Sequence, residues 1–157
     1  KYAKKNIKNV DFIFLISLMI VDGSDNADYF IYKFNISKKD QKRILFLNDY
    51  QKNKSNKILN TKNLWTILYF YGKESLLDLI NFQIYKSKKV EKKLINLLIF
   101  FKDKEAPLMP LGANTLMTKY KIPEGKKLGL KLKQIESKWV ENNFKISDKE
   151  IQKLINN

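Results

Sequence analysis

The feature that most constrains the fold is the spacing of the apolar residues, which recur at three- and four-residue intervals rather than in alternation. Val90, Leu94, Leu97, Leu98 and Phe101 follow this spacing and fall on one face of a helix. The 157 residues include only five Gly and three Pro, so long helices are favoured over a turn-rich β fold. We therefore predict an all-α fold, a multi-helix bundle of amphipathic helices.

The chain length suffices for one domain or for two small helical subdomains that share a core. We predict a single all-helical domain over residues 1–157. Residues 51–60, QKNKSNKILN, are polar and basic without an apolar stripe, and they form the candidate connection between a first part, 1–50, and a second, 61–157.

Helix-start and helix-stop signals divide the chain further. Ser37 is a predicted N-cap, Thr61 or Asn63 can cap a later helix, and Gly72 can separate that helix from the next. Ser147 and Glu150 form a predicted capping box. The first helix is expected over about 7–21 and a long one over about 126–142, while prolines hold residues 106–112 in a loop.

The residues that usually carry catalysis are missing from the sequence. The chain has no Cys and no His, so thiolate or imidazole metal sites and the usual general base are excluded. There is no Asp-x-Asp or Glu-x-Glu pair for metal-dependent nucleotide transfer, and no Gly-rich phosphate loop. Asp22, Asp25 and Asp28 lack calcium-loop spacing and are expected to be solvated carboxylates near a helix start. We predict no catalytic residue and no metal site in this chain.

The apolar run 12–21 is shorter than a membrane-spanning helix, so we predict a buried helix there and no membrane partner. A Lys-rich segment, 1–8, precedes the run as in a signal peptide, but no small-x-small cleavage site follows. The absence of Cys is compatible with a reducing compartment, and we expect a cytoplasmic location.

The formal charge of +15 favours a polyanionic partner such as RNA. Nearly all of the positive charge is Lys, with Arg43 the sole Arg, and Asn and Ile are also abundant. The coding bias of an AT-rich genome explains this composition equally well. Charge alone therefore carries little weight.

The predicted helix 126–142 carries the best candidate for RNA binding. Leu128, Leu132, Ile135 and Trp139 share a core-facing stripe, and Gly129 is expected to allow close approach of a neighbouring element. The adjacent stripe extends roughly 16 Å, so that a phosphate backbone can lie along it. We call this stripe the basic ridge; it consists of Lys127, Lys131, Gln134 and Lys138. The alternative is that any Lys-rich amphipathic helix has such a face. Other candidate RNA-binding residues are Lys119, Lys121 and Lys126.

The segment 107–144 combines a proline-framed loop with this helix in a recognisable order. Its features are Pro107, Pro110-Leu111, Leu116-Met117, Pro123, Gly125, Leu128-Gly129, Leu132, Glu136, Trp139-Val140 and Phe144. The segment resembles the C-terminal signature of bacterial tRNA nucleotidyltransferases, the family of CCA-adding enzymes and poly(A) polymerases. Weaker similarity runs upstream in family order. Ala113 and Thr115 depart from the family pattern, which prefers Gly and Asp there.

The resemblance implies a body-and-tail region of that family type, an all-helical part that grips the acceptor and TΨC arms of tRNA through backbone and shape. It also implies that Mg²⁺ and nucleoside triphosphate bind a catalytic head, in cis or in trans. The head's motif, a Gly-Ser turn followed by Asp-x-Asp, is missing here, because the one Gly-Ser, Gly23-Ser24, has no carboxylate pair at the right distance after it. We expect the chain to be inactive alone, and its residues do not distinguish CCA addition from polyadenylation. The alternative is a helical interaction subunit or remnant that docks on a separately encoded head.

Overall fold

The computed structural model describes residues 11–53, 59–89 and 91–156, and within these ranges it contains eight α-helices and no strand. The all-α prediction is confirmed. The helices are α1 (Phe12–Ile20), α2 (Asn26–Phe34), α3 (Lys38–Lys52), α4 (Thr61–Lys86), α5 (Lys92–Lys102), α6 (Ala113–Tyr120), α7 (Lys126–Glu141) and α8 (Asp148–Asn156).

The chain divides after Ala106 into two compact units, the first containing α1–α5 and the second α6–α8. The boundary expected at 51–60 does not divide the molecule. Helix α3 continues to Lys52, and its Leu47 shares a core cluster with Leu79 of α4. Because the helices on both sides of that segment bury residues together, they belong to one unit. Residues 54–58 of the predicted connection lie outside the described residues.

Helix α1 is apolar on all sides but only partly buried, so the prediction of a buried helix holds for one of its faces. The Asp11 carboxylate caps it by accepting a hydrogen bond from the Phe14 N–H at 2.9 Å. Phe14 is 1% exposed, whereas Phe12 and Met19 are 72% and 84% exposed. The predicted start at Ile7 lies outside the described residues. None of the helices in the described ranges has the length and apolar character needed to cross a membrane.

The turn after α1 is held by a buried amide. Asn48 of α3 is 1% exposed; its Oδ1 accepts from the Gly23 N–H at 3.1 Å, and its Nδ2 donates to the Ser24 carbonyl at 2.9 Å. Asp22 accepts locally from Ser24, as a solvated turn carboxylate does. Gly23, with φ of 88°, lies in this turn, in a conformation that glycine adopts without a steric cost.

Two of the predicted helix caps are confirmed. The Ser37 hydroxyl accepts from the Asp40 N–H at 3.2 Å at the start of α3. Ser147 and Glu150 form the reciprocal capping box of α8: the Glu150 N–H donates to Ser147 Oγ at 3.3 Å, and the Ser147 N–H donates to Glu150 Oε2 at 2.9 Å. At α4 the cap is Asn60, which accepts from the Asn63 N–H, rather than Thr61 or Asn63.

Gly72 breaks α4 in the middle, as predicted. Its φ of 83° and ψ of 170° lie in a region that only Gly adopts readily, and the backbone is helical on both sides. A Cβ placed there would contact no atom within 4 Å, so the constraint is conformational rather than steric packing. The first unit has two core clusters, one among α1–α4 and the other between α4 and α5.

Candidate functional site

The second unit carries the predicted basic ridge on α7. Leu128, Ile135 and Trp139 are 6%, 0% and 3% exposed, and Leu132 is half-buried, so the predicted core stripe is confirmed. Trp139 therefore packs inside and does not present its ring for stacking on a base. The polar side of the same helix faces solvent, apart from one residue.

That residue is Lys131, and the prediction that it belongs to an exposed ridge is wrong. Lys131 is 9% exposed, and its Nζ donates to the carbonyl oxygen of Leu154 at 2.8 Å. Leu154 lies in the last turn of α8, where carbonyl groups lack helical partners and the helix dipole favours a cation. Sequence spacing places Lys131 on the edge of the apolar stripe, and the folding of α8 onto α7 covers it.

The remaining ridge residues are accessible. Lys127 and Gln134 are exposed, and Lys138 makes a partly exposed ion pair with Glu141 at 3.5 Å. A groove of about 510 Å³ lies on α7, and its lining includes Gln134 and Lys138 of the ridge together with Lys133 and Ser137, but not Lys127. Lys133 was not among the predicted site residues, because it lies about 100° around the helix from Gln134 and still farther from the ridge lysines. The exposed cations of α7 are thus Lys126, Lys127 and Lys133, and Lys138 is partly exposed.

The two candidate lysines at the end of α6, Lys119 and Lys121, differ in whether their side chains are engaged within the unit. Lys119 donates to Asp148 at 3.0 Å, and the hydrogen bonds to Asp148 and to Tyr120 raise the pKa of its ammonium. Lys121 ends α6 in the left-handed conformation with φ of 57°, and its side chain is exposed. Lys119 therefore links α6 to the start of α8, whereas Lys121 remains accessible to a phosphate.

The end of α7 explains two of the signature residues. Asn143 and Phe144 have positive φ values of 56° and 61°. The Phe144 N–H donates to the Trp139 carbonyl at 2.8 Å, and the Asn143 N–H donates to the Val140 carbonyl at 3.1 Å. These two bonds define a Schellman motif, in which the first and last residues make an apolar contact. The rings of Trp139 and Phe144 lie edge to face with centroids 5.0 Å apart.

The other signature residues lie before or within this helix and differ in burial. Gly125 precedes α7 with φ of 137°, Pro107 and Glu136 are half-buried, and Pro110 and Pro123 are exposed. The close approach predicted at Gly129 is not found, because a Cβ there would meet no described atom within 4 Å. Gly129 is exposed on the polar side of α7.

The first unit contains an ionic cluster that sequence reasoning missed. Arg43 Nε lies 2.7 Å from Asp78 Oδ2, its Nη2 lies 2.6 Å from Asp11 Oδ2, and its Nη1 lies 3.6 Å from Asp40. Burial acts to lower the pKa of Arg43, but the hydrogen bonds to Asp78 and Asp11 outweigh it and raise that pKa. Partial burial acts to raise the pKa of Asp11, but hydrogen bonds from Arg43 and from the Phe14 N–H lower it. The sole Arg is thus structural.

The described residues contain no group of three or more carboxylates placed to hold a metal ion. What the second unit offers chemically is a row of hydrated ammonium groups beside a shallow groove, an arrangement suited to anion binding. No family model matches the chain, and comparisons with curated proteins and with solved structures also returned no match.

Proposed function

We propose that the chain is an RNA-binding module, of the kind found as the C-terminal body and tail of a CCA-adding tRNA nucleotidyltransferase or poly(A) polymerase, and inactive without a catalytic head. The observation that carries the proposal is the solvent-facing side of α7, where Lys133 and Lys138 line the groove and Lys127 is exposed on the same helix. The resemblance over 107–144 supplies the tRNA acceptor and TΨC arms as the expected target. The expected location is cytoplasmic.

Phosphate binding at α7 fits the character of these lysines. They are exposed or partly exposed, so their ammonium groups are accessible to solvent in the free protein. On binding, these ammonium groups would replace the counterions that are condensed on the RNA backbone. Such contacts read backbone and shape rather than base sequence. The rigid helix, closed by the Schellman motif, keeps the spacing between the ammonium groups fixed.

The test is tRNA binding by the full chain across a series of salt concentrations. Removing a phosphate contact lowers the log-log salt slope by about one unit. The double variant Lys127→Glu/Lys138→Glu should weaken binding and reduce the slope by about two units. Lys131 is left unchanged, since its reversal would disturb the packing of α8.

Lys62→Glu/Lys102→Glu is the matched control, because it makes the same charge change at exposed positions of the first unit. An equal loss of slope in this control would indicate only a response to net charge. An unchanged slope in the α7 variant would remove α7 from the interface.

A second candidate function is docking on a separately encoded catalytic head. It is favoured by large apolar side chains left exposed on the first unit, with Phe12, Met19 and Tyr32 at 72%, 84% and 88%. Co-purification with a head-containing polypeptide, together with negligible tRNA binding by the chain alone, would support this function over the first.

A further inference from the structure

Two adjoining concavities in the first unit share one side chain, Tyr71. One is an aromatic cavity of about 610 Å³ between the C-terminal half of α3 and the first half of α4. The other is a basic cleft of about 510 Å³ between the start of α3 and the Gly72 break. Neither belongs to the α7 surface described above. Their combination of aromatic and cationic groups is the one that single-stranded nucleic-acid sites use.

The aromatic cavity has a buried floor and an exposed rim. Phe46 and Tyr50 are 8% and 6% exposed, whereas Phe70 and Tyr71 are 53% and 56% exposed. The ring centroids of Phe46 and Tyr71 lie 4.3 Å apart, and the angle between the ring planes is 35°. Phe46 thus supports one face of Tyr71, and the exposed part of that ring faces solvent. The volume lies within the range of small-ligand sites.

The basic cleft retains two cations for a ligand. Lys39 pairs with Glu74 at 2.8 Å, Lys73 pairs with Glu105 at 2.6 Å, and Arg43 is held by its carboxylates. Lys38 and Lys42 also line the cleft and are exposed, and neither has an acidic partner in the part of the chain that the structure describes. Their ammonium groups are accessible to a phosphate.

The Gly72 break explains why these groups meet. The first helical segment of α4 ends at Tyr71, and the non-helical φ and ψ of Gly72 redirect the chain before Lys73. The exposed rings Phe70 and Tyr71 therefore stand together at a helix end and line the aromatic cavity. Tyr71 also lines the basic cleft at the start of α3, where Lys38 and Lys42 lie one helical turn apart.

We propose that the first unit binds an unpaired nucleotide of an RNA strand, with its base stacked on the rim formed by Phe70 and Tyr71 and its neighbouring phosphates on Lys38 and Lys42. This inference rests on the proposed function in that RNA is the partner. A paired base is hidden in its helix and cannot reach the rim. A strand is favoured over a free nucleotide because exposed ammonium groups bind one phosphate weakly, and consecutive phosphates let both lysines act.

The experiment measures binding of a fluorescein-labelled hexauridylate to the full chain by anisotropy. The chain carries Lys127→Glu/Lys138→Glu, so that the signal reports the first unit. Tyr71→Ala should lower the affinity about tenfold or more, since stacking of one base has that effect, and Tyr71→Phe should retain it. Phe70→Ala, at a 53% exposed position, is the second variant in case Tyr71→Ala unfolds.

The contribution of the two lysines in the basic cleft is tested separately. Lys38→Gln/Lys42→Gln should lower the salt slope for hexauridylate by about 1.4, at about 0.7 for each single-strand phosphate contact. Unchanged hexauridylate affinity in folded Tyr71→Ala and Phe70→Ala variants would overturn the proposal. Binding of AMP with the same dependence on Tyr71, without binding of hexauridylate, would also overturn it and make a free nucleotide the occupant.

These outcomes are distinguishable from failure of the α7 interface. Loss of tRNA binding in Lys127→Glu/Lys138→Glu, with hexauridylate binding insensitive to Tyr71, leaves the proposed function intact and removes the nucleotide site. The converse result is hexauridylate binding that depends on Tyr71, together with a tRNA salt slope that does not change in Lys127→Glu/Lys138→Glu. That result supports the nucleotide site and removes α7 from the tRNA interface.

Discussion

Among the residues that the structure describes, each unit buries one long cationic side chain, and the two units satisfy that side chain differently. Arg43 of the first unit is 7% exposed and reaches carboxylates from α3, from α4 and from the cap of α1. Lys131 of the second unit is 9% exposed and donates to one backbone carbonyl, that of Leu154. A planar guanidinium has donors for several partners at once, whereas an ammonium group is a single compact charge.

The difference indicates how each unit depends on its cation. Removing Arg43 leaves the buried carboxyl of Asp78, whose pKa burial already raises, without the cation that stabilises its charged form. Removing the Lys131 ammonium leaves only a neutral carbonyl near a helix end, where water can replace the donor. The first unit should therefore be much more sensitive to loss of its buried cation than the second.

The largest effect is expected for Arg43→Met. We expect a loss of about 3–5 kcal/mol in the free energy of unfolding, since one partner of a buried ion pair is left unpaired. Urea unfolding gives the magnitude, and hydrogen exchange assigns the loss to the amides of α1, α3 and α4.

Two controls sharpen this result. Arg43→Met/Asp78→Leu should recover much of the loss, because the unpaired carboxylate is removed as well. Lys39→Met breaks only the exposed pair with Glu74 and should change stability by less than about 1 kcal/mol. Equal losses in Arg43→Met and Lys39→Met would contradict a structural role for the cluster.

A smaller effect is expected for Lys131→Met, which keeps the apolar stem and deletes the ammonium. The charged hydrogen bond to Leu154 should contribute about 2 kcal/mol. Hydrogen exchange at the amides of α8 should quicken in this variant. Lys127→Met, at an exposed position of the same helix, should leave those amides unchanged. Similar exchange in both variants would mean that Lys131 does not hold α8.

The smallest effects compare one glycine from each unit. A Cβ would meet no atom within 4 Å at Gly72 or at Gly129, so packing does not distinguish them. Gly72→Ala should cost about 1–2 kcal/mol because of its positive φ, whereas Gly129→Ala, inside α7, should stabilise by about 1 kcal/mol. Thermal unfolding of both variants measures whether the two stability changes have opposite signs. A loss of stability in Gly129→Ala would indicate that a neighbouring element does approach Gly129 closely, as the sequence predicted.

Much of the local structure was predictable because its causes lie within a few residues. The caps at Ser37 and Ser147 and the core stripe through Trp139 depend on spacings of three or four positions, and the break at Gly72 depends on the glycine itself. The contact between Trp139 and Phe144 is also local, and five-residue spacing at a helix end was a signal for the Schellman motif that sequence reasoning did not use.

The residues that were missed or misplaced depend on partners far away in the sequence. Arg43 meets Asp78 across 35 positions, Lys131 meets Leu154 across 23, and Asn48 meets Gly23 across 25. Helical periodicity assigns a residue to a face but does not say which element covers the edge of that face. For this reason Lys131 was predicted as a ridge residue and is instead a packing residue.

The sequence by itself determined that the chain is helical, where several helices begin or break, and that its surface is strongly cationic, because these follow from local sterics, local hydrogen bonds and composition. Only the tertiary structure decided that the chain divides after Ala106, that Lys131 leaves the basic ridge, and that Tyr71 joins an aromatic cavity to a basic cleft. Those outcomes depend on which apolar faces are buried together, and burial is a property of the whole chain.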